Sequence, residues 1–236
     1  MTNAPDAILR PPPFAPARPA AVIFDMDGTL IDTEALHRRA QAETARELGH
    51  DLPAEIHNGF VGVHREVNDL TLRRLWGEHA DLDAFNARAD ALFDTLWRAD
   101  IPIKPGATAL LTALSQARVP LGLCTSTRRE KALEKLEHAG FLALFDSIVT
   151  LSDVEDPKPH PEPYLVSARN LGADPARCVA VEDSPNGLKA AAAAGMTVLL
   201  VPDLVTPAPD VATLAHAVLP DLDVVRRWMD AALAPA

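Results

Sequence analysis

Asp25-Met26-Asp27-Gly28-Thr29 closes the apolar run Ala20-Ala21-Val22-Ile23-Phe24. A short β-branched and aromatic run ending in two carboxylates and a glycine reads as a buried strand that delivers acids at its carboxyl end. Ligands of open α/β sheets bind at that end. Side chains alternate along a strand, so Met26 turns into the core while Asp25 and Asp27 point toward one site. Two acids so placed are costly unless something cationic joins them.

Three later loops follow apolar strands in the same way. Thr125-Ser126-Thr127-Arg128 offers hydroxyls and backbone N–H groups at a strand-to-helix turn, an arrangement that binds anions and that also simply caps helices. In Ser152-Asp153-Val154-Glu155-Asp156-Pro157-Lys158-Pro159-His160-Pro161 one lysine is held between two prolines. Glu182-Asp183-Ser184-Pro185-Asn186-Gly187 is a second pair of acids at a strand end, with helix capping as the plainer reading.

Together these loops suggest one site. Asp25, Asp27 and Asp183, with Glu182 beside them, make an oxygen-ligand set of the kind a hard divalent ion such as Mg2+ prefers. Gly28, Thr125, Ser126 and Lys158 are then the candidates for holding a phosphoryl group. Asp25 is a nucleophile able to form an aspartyl phosphate, and Asp27 is placed to protonate the leaving oxygen and later to deprotonate water. A calcium loop starting at Asp25 is excluded, because its sixth and twelfth places hold Leu30 and Leu36 instead of glycine and glutamate.

The elements that position these loops alternate. Strands are expected at Ala20 to Phe24, Val119 to Cys124, Ser147 to Thr150, Cys178 to Val181 and Thr197 to Val201. Helices are expected at Ala107 to Ala117, Arg129 to His138, Pro163 to Leu171 and Gly187 to Ala194. Such alternation implies a parallel sheet covered by helices on both faces. Between the first two strands the pattern is helical throughout. One helix is capped by Thr33 and closed by Gly49. A second apolar face is formed by Leu70, Leu72, Leu75 and Trp76, and a third by Leu82, Phe85, Ala89, Leu92, Phe93 and Leu96. Ile101-Pro102-Ile103-Lys104-Pro105-Gly106 marks a linker. The fold class is therefore α/β, a Rossmann-like parallel-sheet core with an inserted all-helical cap. The expected divisions are a Pro-rich leader over 1–19, a core of 20–34 with 103–236, and a cap of 35–102.

Bulk properties narrow the partners. The 236 residues are 48% hydrophobic, enough for one α/β core with a modest insertion, and carry a formal charge of -11. Acids are dispersed and no basic stripe forms, which excludes nucleic acid and anionic membranes as partners. Cys124 and Cys178 cannot make a disulfide framework and suit a reducing compartment. With no signal-like or transmembrane-length run, a cytoplasmic protein acting on a small molecule is expected; a monomer is favoured, and nothing in the sequence fixes the oligomeric state.

The run Asp25 to Glu34, with Thr125, Lys158 and Glu182-Asp183-Ser184 at their spacings, resembles the haloacid dehalogenase superfamily. The helical insertion is similar to that of the branch containing beta-phosphoglucomutase and phosphoglycolate phosphatase. The resemblance spans about residues 20–202. It implies a Rossmann-like core, a helical cap, Mg2+, Asp25 as nucleophile, Asp27 as acid/base, Thr125 and Lys158 on phosphate, and Asp183 on the metal. Dehalogenases of the superfamily generally lack the second acid, so Asp27 favours phosphoryl transfer. Pro157 stands where glycine is usual before the lysine, and Pro161-Glu162 where Pro-Asp is usual after it. In the cap, His37 and Arg65 match positions that contact substrate in relatives similar to beta-phosphoglucomutase, while the lysine such mutases carry is Val61 here. The expected function is a Mg2+-dependent phosphatase of a sugar or organic-acid phosphate. A sugar phosphate mutase is the alternative, and a lapsed enzyme that binds metal without turnover is a third reading.

Overall fold

A computed structural model of the chain describes residues 18–60, 65–203 and 208–234. Nearly all of the Pro-rich leader, and Val61 to His64 in the helical insertion, lie outside them. The chain divides into two compact units, one running to Ile31 and resuming at Ile103, the other spanning Asp32–Pro102. The first break falls three residues before the expected one. Ile31 belongs with the sheet unit because it bridges Asp27 on one side and Ile103 on the other.

The sheet unit begins with β1 (Ala21–Phe24), every residue of which is buried. After the helical unit come α5 (Ala107–Gln116), β2 (Leu121–Cys124), α6 (Arg129–His138), β3 (Ser147–Val149), α7 (Glu162–Asn170), β4 (Cys178–Glu182), α8 (Pro185–Ala193), β5 (Thr197–Leu200), α9 (Pro209–Ala212), β6 (Ala217–Val218) and α10 (Leu222–Leu233). The six strands are parallel in the order β3-β2-β1-β4-β5-β6. Order reverses beside β1, which puts the carboxyl end of the central strand at the switch point where α/β sheets bind ligands.

Burial of both faces explains why the strands read as continuous apolar runs. Ala21, Ile23, Ala180, Val198 and Leu200 pack with Tyr164, Ala168, Leu188 and Ala191 of α7 and α8. Alternation sends Val22 and Phe24 to the opposite face. On α5, Leu110, Leu111 and Leu114 are buried, and that helix packs against α10. The elements β6, α9 and α10 were not expected from the sequence. Asp221 caps α10 by accepting from the Val224 N–H at 2.8 Å.

The helical unit holds α1 (Thr33–Glu47), α2 (Ala54–Asn58), α3 (Arg65–Trp76) and α4 (Leu82–Ala99), with α1 and α4 packed along each other. Asp32, not Thr33, is the N-cap of α1, accepting from the Ala35 N–H. The face expected on α3 is split. Leu72 is buried with Phe85, Leu82 and Phe60, but Leu70 is 55% exposed and Leu75 41%. Leu70 lies two residues from Leu72, and residues so spaced do not share a helix face. Among the described residues, no helix is long and apolar enough to cross a membrane.

Candidate active site

Asp25 leaves the end of β1 with its N–H bonded to the Val181 carbonyl of β4 at 3.0 Å. Its carboxylate is reached by Lys158, whose Nζ donates to Asp25 Oδ1 at 2.7 Å, to Glu182 Oε1 at 2.6 Å and to the Cys124 carbonyl at 2.8 Å. An ammonium has three N–H groups, so all of Lys158's donors are spent on the ends of β1, β2 and β4. The lysine therefore ties three strand ends together and places its charge against Asp25.

Glu182 is fully buried and satisfied on both oxygens. Oε1 accepts from Lys158 and from the Tyr164 hydroxyl at 2.7 Å. Oε2 accepts from the Asp183 and Ser184 N–H groups and from Ser184 Oγ. Tyr164 also lies under the ammonium, its ring centroid 5.0 Å from Lys158 Nζ, an added cation–π contact. Gly187 completes the enclosure, since a Cβ there would fall 1.8 Å from Glu182 Oε1.

Asp183 accepts from Thr29 Oγ1 at 3.0 Å. Gly28 sits against it at φ +87°, where a Cβ would meet Asp183 Oδ2 at 2.3 Å. Both the left-handed backbone and the close approach require glycine there. Gly28 therefore shapes the turn around an acid. Asp27 is held on both oxygens, by Thr127 Oγ1 at 2.6 Å and by Lys135 Nζ at 2.6 Å. Thr125 is buried at the end of β2, with its N–H on the Val149 carbonyl and its hydroxyl accepting the Thr127 N–H; Ser126 beside it is exposed.

The electrostatics show a surplus of acid. Burial pushes the Asp25 carboxyl up to about 7, against the pull of the Lys158 ammonium. Burial, then the charges of Asp25 and Glu182, hold Asp183 well above the carboxylate range. Burial alone would lower Lys158, but Asp25 and Glu182 more than offset it and keep it well above the usual lysine value. Asp25, Glu182 and Asp183 bring carboxylate oxygens within 4.8 Å of one another. One ammonium does not balance three carboxylates. The all-oxygen donor set and the unbalanced negative charge fit a hard divalent cation.

The loop carrying Lys158 is stiffened by Glu162, whose carboxylate accepts the Glu155 N–H at 3.1 Å and the Asp156 N–H at 2.8 Å. The longer acid at this place thus still closes the loop. Cys124 is buried, and its thiol is pushed up to about 12, chiefly by burial, so it is an inert neighbour.

Residues 19–195 match the model of the haloacid dehalogenase-like hydrolases. The chain belongs to that family. This haloacid dehalogenase-like hydrolase is 32% identical over 176 residues to the phosphorylated carbohydrates phosphatase of Thermotoga maritima, covering 75% of this chain and 82% of that protein. It is 34% identical to hexitol phosphatase A of Escherichia coli K12, with 76% and 81% covered. Among solved structures it is similar to a family hydrolase from Deinococcus radiodurans with bound phosphate and sodium, at 30% identity and a TM-score of 0.79, covering 93% of this chain and all 100% of that one.

His37 and Arg65 belong to the helical unit of the hydrolase and are described there. His37 stacks on Phe93, ring centroids 3.6 Å apart. Arg65 is engaged by both oxygens of Asp90, at 2.9 and 3.0 Å. A guanidinium already paired in this way must exchange or share its partner before it clamps another anion. Tyr164, Lys135 and Gly187 were missed by sequence reasoning. Tyr164 is the chain's one tyrosine, a signal that would have singled it out; the burial of Lys135 on α6 shows only in the structure.

Proposed function

We propose that the chain is a Mg2+-dependent phosphatase of small phosphorylated metabolites, sugar or organic-acid phosphates, working through an aspartyl phosphate on Asp25. The observation that carries this reading is a buried carboxylate, Asp25, backed by Lys158 at 2.7 Å and set two residues before a second carboxylate held at both oxygens. The names of the Thermotoga and Escherichia relatives support the substrate class.

Asp25 attacks phosphorus, the bond from phosphorus to the ester oxygen breaks, and the departing alcohol takes a proton from Asp27. Water then attacks the aspartyl phosphate, giving its proton to Asp27, and the bond to Asp25 breaks to release inorganic phosphate. Lys158 keeps a positive charge beside the nucleophile. Thr125, Ser126 and the backbone N–H groups of the turn after β2 are assigned to the phosphoryl oxygens. Asp25 and Asp183 would hold the ion through their carboxylates and Asp27 through its main-chain carbonyl, with Glu182 behind them. When bound, Mg2+ supplies charge neutralisation for the phosphoryl oxygens. The helical insertion, with His37 and Arg65, is assigned substrate selection as the cap.

The test is phosphate release from an aryl phosphate and then from a panel of sugar and organic-acid phosphates, with Mg2+ present. Wild type releases inorganic phosphate, and Asp25→Asn does not. A wild type without turnover overturns the reading, and isomerised hexose phosphate in place of free phosphate makes the enzyme a mutase.

A further inference from the structure

Lys135 is the feature of the sheet unit that the reading above leaves unused. Helix α6 buries Ala132, Leu136 and, on the same side, Lys135, whose residue surface is only 4% exposed. Lys131, one turn earlier, is exposed. A buried ammonium is costly unless a partner compensates it. The partner is Asp27: Nζ to Oδ1 is 2.6 Å, in the range of short charge-assisted bonds. On the other oxygen Thr127 Oγ1 donates at 2.6 Å, and the Thr127 N–H is itself fixed by Thr125 Oγ1 at 3.1 Å.

A carboxylate with only one bound oxygen can swing about its side-chain torsions. With donors from a helix on one oxygen and from the turn after β2 on the other, its plane and direction are both set. Orientation matters to proton transfer, because the donor and acceptor atoms must reach hydrogen-bond distance of the reacting oxygen.

We propose that Lys135, together with Thr127, is a positioning residue that aims the Asp27 carboxylate at the leaving alcohol and at the attacking water. The proposal rests on the assignment of Asp27 as acid/base. In this role Lys135 acts through Asp27 and is not consumed: the proton leaves and returns through Asp27.

The experiment is a double-mutant cycle on the full chain, read in single-turnover and steady-state kinetics with an aryl phosphate and Mg2+. Lys135→Met lowers kcat by about tenfold to a hundredfold, inside the ~10²–10⁴ that a positioned acid/base group contributes. KM stays within about threefold, since the substrate-binding groups are intact. Lys135→Arg, which keeps a charged donor, restores part of kcat. In an Asp27→Asn background Lys135→Met changes the rate by less than about twofold, because the group it acts through is gone. An equal loss in both backgrounds shows a merely structural lysine and overturns the proposal. So does an unchanged kcat in the single variant. Should Lys135→Met fail to fold, Thr127→Val is put through the same cycle with the same criteria. Absence of turnover in wild type would instead defeat the phosphatase reading itself, so the two failures are distinct.

Discussion

Gly187 leaves no room for even one methyl group, because its Cβ would lie 1.8 Å from Glu182 Oε1 in a buried site. Gly187→Ala must push Glu182 off Lys158 and Tyr164. We expect a loss of about 1–3 kcal/mol of stability, the usual cost of overpacking, together with a fall in turnover. Denaturant unfolding and phosphatase assays measure the two. At this scale the acids could be read from the sequence because each sits at or just after the end of an apolar strand, and Lys158 because it stands between two prolines in the loop that follows β3. Glu182's partners could not be read. The Tyr164 hydroxyl comes from a helix 18 residues away and Lys158 from a loop 24 residues away, and only folding brings them to one oxygen. Lys135 was hidden differently: on a helix with Arg129, Lys131 and Glu134 it looks like one more solvated charge.

At the scale of elements, α3 separates burial from composition. Leu72→Ala should cost about 2–4 kcal/mol, because the buried side chain leaves a cavity against Phe85 and Leu82. Leu70→Ser, at a position 55% exposed, should stay within about 0.5 kcal/mol in the same unfolding measurement. The sequence showed that α3 exists but not which leucines face inward. That depends on helix phase against α4, and a stretch with leucines at 70, 72 and 75 does not settle it. His57 of α2 gives the helical unit a pH response. It is buried, and burial first and Arg38 second lower it from 6.5. The unfolded chain thus binds the proton more readily than the folded one. Stability from this group is complete above about 6.5 and is lost as pH falls through the lowered folded value. Thermal melts between pH 8 and pH 5 should show a declining midpoint, and His57→Gln should flatten part of the decline.

For the molecule as a whole, a parallel sheet covered by helices on both faces follows from the strand–helix alternation that the sequence displays, whereas the order β3-β2-β1-β4-β5-β6, with β1 at the switch point, comes from the structure. The last strand and α10 did not show, because Ala217–Val218 is two residues long and carries no period. Cation binding at the proposed site of Asp25, Glu182 and Asp183 would be coupled to stability. Mg2+ should raise the melting temperature by the mass-action relation for a ligand that binds only the folded state, and a chelator should reverse it. Asp183→Asn should abolish that response while the apo protein stays folded. An unchanged Mg2+-dependent shift in this variant would contradict the assignment of the cluster.

In the proposed reaction phosphorus is carried on Asp25. This step is tested most directly by acid-quenching the wild type during turnover of an aryl phosphate with Mg2+ and mapping the phosphorylated peptide by mass spectrometry. One phosphoryl group is expected on Asp25, absent from Asp25→Asn. A phosphoryl group on another residue, or turnover by Asp25→Asn at the wild-type rate, would contradict it.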